Sequence, residues 1–159
     1  MKKNLLLLAL AASAFTMQSC EKDDDVTTVP AAVAESFSAK YPKATRVSWE
    51  YEDGYLIADF YNENNQEAEA WFDHKGVWYL TETDISFTYL PTAVKDAFGA
   101  SKYAAWKIDD VDMVERANQD LFYVIEVESG KLEYDLYYDA DGTLTKEEID
   151  SNKEHEYLP

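Results

Sequence analysis

The sequence contains few of the residues on which most catalytic and metal-binding sites depend. Its 159 residues include one cysteine, two histidines and five glycines. A single cysteine cannot form a disulfide within the chain, so the core must be held by burial of apolar side chains. The sequence has no glycine-rich phosphate loop and no recognisable motif of a nucleophile with its base. We therefore expect a protein that is not an enzyme and that uses no cofactor.

Basic residues are also scarce. Fourteen lysines and arginines stand against 32 aspartates and glutamates, which gives a net charge of -18. Proteins that bind nucleic acid need basic patches to neutralise phosphates, so the composition argues against a nucleic-acid partner. An acidic surface instead favours a basic protein or peptide. With so many acids, carboxylate pairs are unavoidable, and none can be singled out as catalytic.

The first 19 residues have the pattern of a signal peptide. Lys2 and Lys3 precede an apolar stretch over residues 5–15, which is too short to span a membrane as a permanent helix. The stretch MQSC, residues 17–20, resembles a lipobox and places Cys20 where bacterial lipoproteins are lipidated. We predict a signal peptide over residues 1–19 and a lipid anchor on Cys20. The alternative is an ordinary cleaved signal with an incidental cysteine.

Residues 20–28 are charged and lack apolar periodicity, which predicts a short acidic tether. The sequence Lys-Asp-Asp-Asp at residues 22–25 resembles the export signal that sends some lipoproteins to the outer face of the outer membrane. We expect an outer-membrane lipoprotein, either on the cell surface or facing the periplasm.

The rest of the chain contains an internal repeat. VPAAVAESFSAKYP, residues 29–42, and LPTAVKDAFGASKY, residues 90–103, align without a gap. In each copy a valine and a phenylalanine recur four residues apart, as on one face of a helix, and a proline suits the first turn. These pairs are Val33 with Phe37, and Val94 with Phe98.

Four short runs of strand-forming residues follow each predicted helix. The first copy has them at residues 46–51, 55–61, 67–73 and 77–81, and the second at residues 105–108, 121–128, 132–139 and 143–146. We predict an α+β fold, a tandem repeat of a helix plus a four-stranded antiparallel meander, with the helices on one face of the sheet or sheets. The repeats are placed at residues 29–86 and 87–150, with a polar tail at residues 151–159.

Strand residues alternate between two faces. One face is apolar and is expected to lie under the helices, whereas the other mixes aromatic and acidic residues and is expected to face solvent. Tryptophan and tyrosine dominate the energetics of many interfaces, so we predict that this second face binds a protein or peptide. The candidate residues are Trp71, Tyr137, Tyr61, Tyr55, Asp59, Glu69 and Asp135. The alternatives are a solvated face whose aromatics pair across strands, and a surface for a small ligand such as a glycan or Ca²⁺.

The repeated unit resembles a known family. Each copy reads proline, valine, phenylalanine, then a tryptophan, then an aromatic-aspartate hairpin with glycine. The residues concerned are Pro30, Val33, Phe37, Tyr41, Pro42, Val47, Trp49, Phe72, Asp73 and Gly76, and then Pro91, Val94, Phe98, Trp106, Tyr138, Asp139 and Gly142. With the lipoprotein leader, this is similar to the PepSY-like, β-lactamase-inhibitor-like (BLIP-like) group of bacterial proteins. The resemblance implies tandem units whose sheets offer a concave surface, in a fold whose relatives bind and inhibit enzymes.

One segment has part of the pattern of a calcium-binding loop. In residues 137–148, Asp139, Asp141, Gly142 and Glu148 fall at loop positions 3, 5, 6 and 12, but tyrosine stands where the first aspartate should be. A plain hairpin turn explains the same residues, so no metal ligand is assigned.

Overall fold

The computed structural model describes residues 28–149. The predicted signal peptide, most of the tether with Cys20, and the polar tail lie outside the described residues. The elements in chain order are α1 Ala31–Lys40, β1 Thr45–Glu52, β2 Tyr55–Tyr61, β3 Glu67–Phe72, β4 Trp78–Asp84, a 3₁₀ turn Phe87–Tyr89, α2 Thr92–Ala100, β5 Lys107–Arg116, β6 Phe122–Ser129, β7 Leu132–Asp139 and β8 Leu144–Ile149. No helix among these residues is long and apolar enough to cross a membrane.

The eight strands form a single antiparallel sheet in the order β1 to β8. Every strand therefore pairs with its neighbours in sequence, and the predicted α+β class is confirmed. β4 and β5 pair over five residues, from Leu80 opposite Arg116 to Asp84 opposite Asp112. This pairing joins the strands that follow α1 to those that follow α2 into one continuous sheet.

α1 is held to the sheet by Val33 and Phe37. Pro30 caps the helix, and the chain leaves it at Tyr41, whose backbone N–H still bonds to the Phe37 carbonyl. Both Val33 and Phe37 are buried, and burial of each is worth roughly 1.5–3 kcal/mol. The buried residues that they meet are Leu56, Ala58, Phe60, Ala68, Ala70 and Phe72.

α2 packs in a corresponding way through Val94 and Phe98. Pro91 caps this helix, and the 3₁₀ turn before it places Phe87 with its ring centre 5.5 Å from that of Phe98. The buried strand residues beneath α2 are Val111, Tyr123, Ile125, Val127, Leu136 and Tyr138. In the sheet register Ala68 lies opposite Thr83, Thr83 opposite Met113, and Met113 opposite Tyr123. These four residues therefore form one continuous row of positions across β3, β4, β5 and β6.

Two glycines touch the starts of the two helices. Gly76, in the turn between β3 and β4, has φ +84°, and a Cβ there would lie 2.5 Å from the Ala32 carbonyl oxygen. Gly142, between β7 and β8, has φ +90°, and a Cβ there would lie 2.5 Å from the Ala93 carbonyl oxygen. Only glycine satisfies both the backbone angle and the close approach, so each hairpin is seated directly against a helix.

The prediction for β5 was wrong in its extent. It was placed at residues 105–108, whereas the strand runs from Lys107 to Arg116. The register shifts between Ile108 and Val111, so the alternation of apolar and polar residues breaks there. The acidic residues beyond the bulge belong to the sheet and not to a connecting loop.

Candidate functional site

The side chains that alternate with those under the helices form a second face of the sheet, called here the open face. It carries two small apolar clusters, and neither contains a helix residue. The first, on β2 to β4, consists of Ile57, Trp71 and Leu80. The second, on β5 to β7, consists of Val114, Val124 and Tyr137.

Trp71 is 0% exposed, so the expectation that it stands accessible on this face was wrong. The register sets Ile57 and Leu80 directly opposite it on the two neighbouring strands. Tyr55 and Tyr79 pack against the same cluster, with their ring centres 5.1 Å apart. Trp71 is therefore the centre of an apolar layer, and the partly buried Tyr55 lies at its margin.

Tyr137 is 6% exposed, which corrects the same expectation for that residue. It lies opposite Val124 on β6 and opposite Lys146 on β8. The Lys146 ammonium nitrogen sits 4.9 Å from the centre of its ring, and Phe122 packs beside it at 6.2 Å. Most of the ring is thus covered by the chain itself.

The open face also contains a cavity of about 530 Å³, called here the acidic cavity. Its lining comes from the first five strands and holds seven carboxylates with a single cationic side chain. The lining residues are Arg46, Ser48, Asp59, Phe60, Tyr61, Glu67, Ala68, Glu69, Glu82, Asp84, Asp110 and Asp112. Three of the predicted residues, Asp59, Glu69 and Tyr61, are brought together here.

The strand register places acids of this cavity directly opposite one another. Glu69 lies opposite both Asp59 on β2 and Glu82 on β4. Asp84 lies opposite Asp112 across the junction of β4 with β5. Side chains opposed in this way have Cβ atoms about 4.5–5.5 Å apart, and like charges there repel. The full set of carboxylates therefore cannot ionise without mutual repulsion.

The electrostatics of the cavity follow first from burial of its carboxyls and then from this crowding. Burial raises the pKa of Glu69 from 4.5 to about 8, and the charges of Asp59, Glu82 and Glu50 add to the effect. Burial also raises the pKa of Asp112, with further contributions from the neighbouring charges of Glu82, Asp110 and Asp84 and from a hydrogen bond to Glu82. Carboxyls in this environment keep protons that exposed carboxyls would have lost at neutral pH.

Arg46 and Tyr61 form one rim of the acidic cavity. Arg46 occupies a bulge of β1 with φ 55°, and its guanidinium carbon lies 4.9 Å from the centre of the Tyr61 ring. The Tyr61 hydroxyl donates a hydrogen bond to the Glu67 carboxylate, which raises the pKa of Tyr61. At this rim the planar Arg46 guanidinium therefore lies against the Tyr61 ring, whose hydroxyl is bonded to a carboxylate.

Asp135 lies away from the acidic cavity. It sits on β7, opposite Glu126 on β6 and Glu148 on β8. The acidic character of the open face therefore continues past the cavity toward the β8 edge. Of the predicted residues, Tyr55, Trp71 and Tyr137 belong to the apolar clusters and Asp135 to this outer part.

The sequence analysis missed several acids that line the cavity, namely Glu67, Glu82, Asp84, Asp110 and Asp112. Four of them lie on β4 or β5, whose ends were predicted too early. A signal was present: Val111 and Met113 alternate with Asp110 and Asp112, as expected of a half-buried strand. It was hidden by the preceding bulge.

The segment with part of a calcium-loop pattern, residues 137–148, contains the hairpin turn between β7 and β8. The Asp139 N–H bonds to the Thr143 carbonyl at 3.0 Å, and Asp141 Oδ1 accepts from the Thr143 N–H at 2.9 Å. Glu148 lies within β8 opposite Asp135, and not at the turn. Within residues 28–149 no group of three or more His, Cys, Asp or Glu side chains is arranged to hold a metal ion.

A second cavity, of about 550 Å³, lies beside the end of α1 on the helix side of the sheet. Several of its polar groups have partners within the chain: Thr81 receives a hydrogen bond from Trp78 Nε1 at 2.9 Å and also bonds to the Tyr41 hydroxyl. Lys40 lies 3.6 Å from the centre of a Trp78 ring and pairs with Glu115 at 3.0 Å. These contacts connect α1 to β5. The polar side chains involved therefore have a structural role in holding the helix to the sheet.

Comparison with known families gives a match to the family described as "Putative beta-lactamase-inhibitor-like, PepSY-like", over residues 16–61 and again over residues 54–146. The chain belongs to the PepSY-like family. The resemblance inferred from the repeated motif is thereby confirmed. A search of curated proteins gave no match.

Solved structures share the fold. A BLIP-like protein from Bacteroides fragilis is 34% identical with a TM-score of 0.77, over 84% of this chain and 95% of that one. A DUF2874 family protein from Bacteroides ovatus is 36% identical with a TM-score of 0.73, over 77% of this chain and 88% of that one. A Bacteroides eggerthii structure named "putative periplasmic proteins" is 23% identical with a TM-score of 0.74, over 79% and 91%, and shows the fold alone.

Proposed function

We propose that this PepSY-like protein is a non-catalytic binding module that docks a basic protein or peptide segment on the open face. The observation that carries the proposal is the acidic cavity, in which seven carboxylates and one arginine line a space of about 530 Å³. Charge complementarity of this kind steers and selects oppositely charged partners. The family description, which is inhibitor-like and not catalytic, supports a binding role.

The accessible contact residues in this proposal differ from those the sequence favoured. Trp71 and Tyr137 support the face from within, whereas Tyr61, Asp59 and Glu69 line the cavity that a partner would meet. Tyr55 and Asp135 extend the contact surface on either side. Fold alone does not fix a partner, so the proposal rests on the chemistry of this face.

We further infer that the chain is a tandem repeat of one helix-plus-meander unit, with both helices on the face opposite the docking surface. Two observations support it: the gapless repeat in sequence, and the equivalent seating of Gly76 and Gly142 against α1 and α2. The β4–β5 pairing would then merge two four-stranded units into one eight-stranded surface.

The sequence around Cys20 leads us to propose that a lipid anchor holds the protein to the outer membrane, on the cell surface or the periplasmic side. Mass spectrometry of the protein from its native membrane tests this directly. A diacylglyceryl mass on Cys20 is expected, and its absence from the wild-type chain would refute the anchor.

The binding proposal can be tested by charge reversal on the open face. The variant carries Asp59→Lys and Asp135→Lys, and its matched control carries Glu35→Lys and Asp96→Lys, on the exposed sides of α1 and α2. Both change the net charge equally. Each protein, from Val26 onward, is immobilised and cross-linked in envelope extracts of Bacteroides cells, and cross-linked residues are identified by mass spectrometry.

The expected result is a partner cross-linked through basic residues to the open face in the wild type and in the control. The open-face variant should lose it. If the control loses binding equally, nonspecific charge attraction explains the capture. If cross-links fall on the helices instead, the assignment of the open face is wrong.

A further inference from the structure

The crowding of acids in the acidic cavity bears on how the proposed docking face is regulated. The acids of the cavity come from four adjacent strands and converge at the β4–β5 junction. The charged and titratable groups that line the cavity, or whose charges act on its acids, are Arg46 and Glu50 from β1, Asp59 and Tyr61 from β2, Glu67 and Glu69 from β3, Glu82 and Asp84 from β4, and Asp110 and Asp112 from β5. Farther along the sheet, Arg116 of β5 lies opposite Leu80, and Glu126 of β6 lies opposite Asp135.

The two arginines of this set each lie over an aromatic ring. Arg46 lies over the Tyr61 ring at the rim, and the Arg116 guanidinium carbon lies 5.0 Å from the centre of the Phe122 ring. The opposed positions at the centre hold Asp59, Glu69 and Glu82 in one row and Asp84 with Asp112 in the next. When buried carboxylates face one another, the least costly remedy is for some to remain protonated.

We propose that the open face stores protons among these opposed carboxyls at neutral pH, and releases them to solvent when a cationic segment docks. A partner ammonium or guanidinium stabilises the carboxylate form, so each stored proton leaves as its carboxyl becomes an ion-pair partner. Docking would therefore tighten as the pH rises. The retention of protons is inferred from the opposed positions of the carboxyls in the cavity. The release of these protons on docking rests, in addition, on the proposed function.

The protons stored by Glu69 and Asp112 can be observed directly. The side-chain carboxyl carbons of the ¹³C-labelled protein are followed by NMR from about pH 4 to about pH 10. Glu69 should titrate near pH 8, and Asp112 above neutral pH. Glu63 is an internal control, because its contact with Lys43 lowers its pKa. Glu69→Gln and Asp112→Asn should each remove their own step.

If all carboxyls of the acidic cavity titrate below about pH 5.5, the ordinary range for exposed acids, proton storage is refuted. The coupling is tested with a hexalysine peptide, by calorimetry at neutral pH in two buffers of different ionisation enthalpy. The wild type should release about two protons per peptide bound, one from Glu69 and one from Asp112. The Glu69→Gln, Asp112→Asn double variant should release less than half as much.

The two proposals fail in different ways. Peptide binding without proton release would overturn the coupling and leave the docking function intact. High titration midpoints with no peptide binding would preserve the proton store but refute a cationic partner for this face.

Discussion

Replacing Gly76 with alanine tests how the hairpins are seated on the helices. The backbone at Gly76 has φ +84°, which costs an L-residue about 1–2 kcal/mol. The added Cβ would also meet the Ala32 carbonyl oxygen at 2.5 Å and its carbon at 2.8 Å. These are backbone atoms of α1, so relief requires a shift of the helix and of Val33. Overpacking of this kind costs about 1–3 kcal/mol more.

Gly54 provides the matched control. Its φ is +93°, but nothing lies within 4 Å of a Cβ placed there, so Gly54→Ala carries the backbone cost alone. We expect Gly54→Ala to lose about 1–2 kcal/mol of unfolding free energy, and Gly76→Ala to lose about 1–3 kcal/mol more than that. Urea unfolding, followed by the fluorescence of the four tryptophans, measures both.

A second pair repeats the comparison in the other half of the sheet. Gly142 has φ +90° and would meet the Ala93 carbonyl oxygen at 2.5 Å, whereas Gly130 has φ +70° and open space around it. Gly142→Ala should therefore match Gly76→Ala to within about 1 kcal/mol, and Gly130→Ala should match Gly54→Ala. Equal losses at all four glycines would refute the reasoning, because the steric contact would then contribute nothing.

Three other substitutions test the open face and the link between α1 and β5. Glu69→Gln should raise the unfolding free energy at about pH 9, because the raised pKa means that wild-type stability falls as the pH rises from 4.5 through about 8. The rise of the Glu69 pKa from 4.5 to about 8 corresponds to at most about 4–5 kcal/mol of unfolding free energy. Because Glu69 is partly exposed, we expect a gain of about 2 kcal/mol near pH 9 and none near pH 4.5. A gain of equal size at both pH values would contradict this prediction. Trp71→Ala should cost about 3–5 kcal/mol in urea unfolding, against under about 0.5 kcal/mol for Tyr89→Ala, which is 75% exposed in wild type. Lys40→Met should cost about 1 kcal/mol through its lost contact with Trp78, and a loss that disappears in high salt would show that only the Glu115 ion pair mattered.

The helices and most strands could be predicted because their signals are local. A valine and a phenylalanine four residues apart, after a proline, predicted α1 and α2 at Val33, Phe37, Val94 and Phe98. These residues pack as expected on the sheet. Glycines in turns marked the hairpins for the same reason. The continuation of β5 was missed because a bulge interrupts the alternation on which strand prediction depends.

The candidate site was predicted less well because accessibility is not a local property. Alternation placed Trp71 on the correct face but could not show that Ile57 and Leu80 would lie on either side of it. The acidic cavity depends on the β4–β5 register, which brings Asp84 opposite Asp112 from 28 positions away in sequence. Cross-strand pairing of that kind has no signature in a single sequence, so Asp59 and Glu69 were identified without most of the acids that surround them.

The pairing of β4 with β5 also affects the chain while it folds. Until β5 pairs with it, the edge of β4 from Leu80 to Asp84 has no neighbouring strand on that side. Unpaired strand edges can pair with strands of other chains, and charged side chains oppose such pairing. Glu82 and Asp84 would thus protect this edge from aggregation before they ever face a partner.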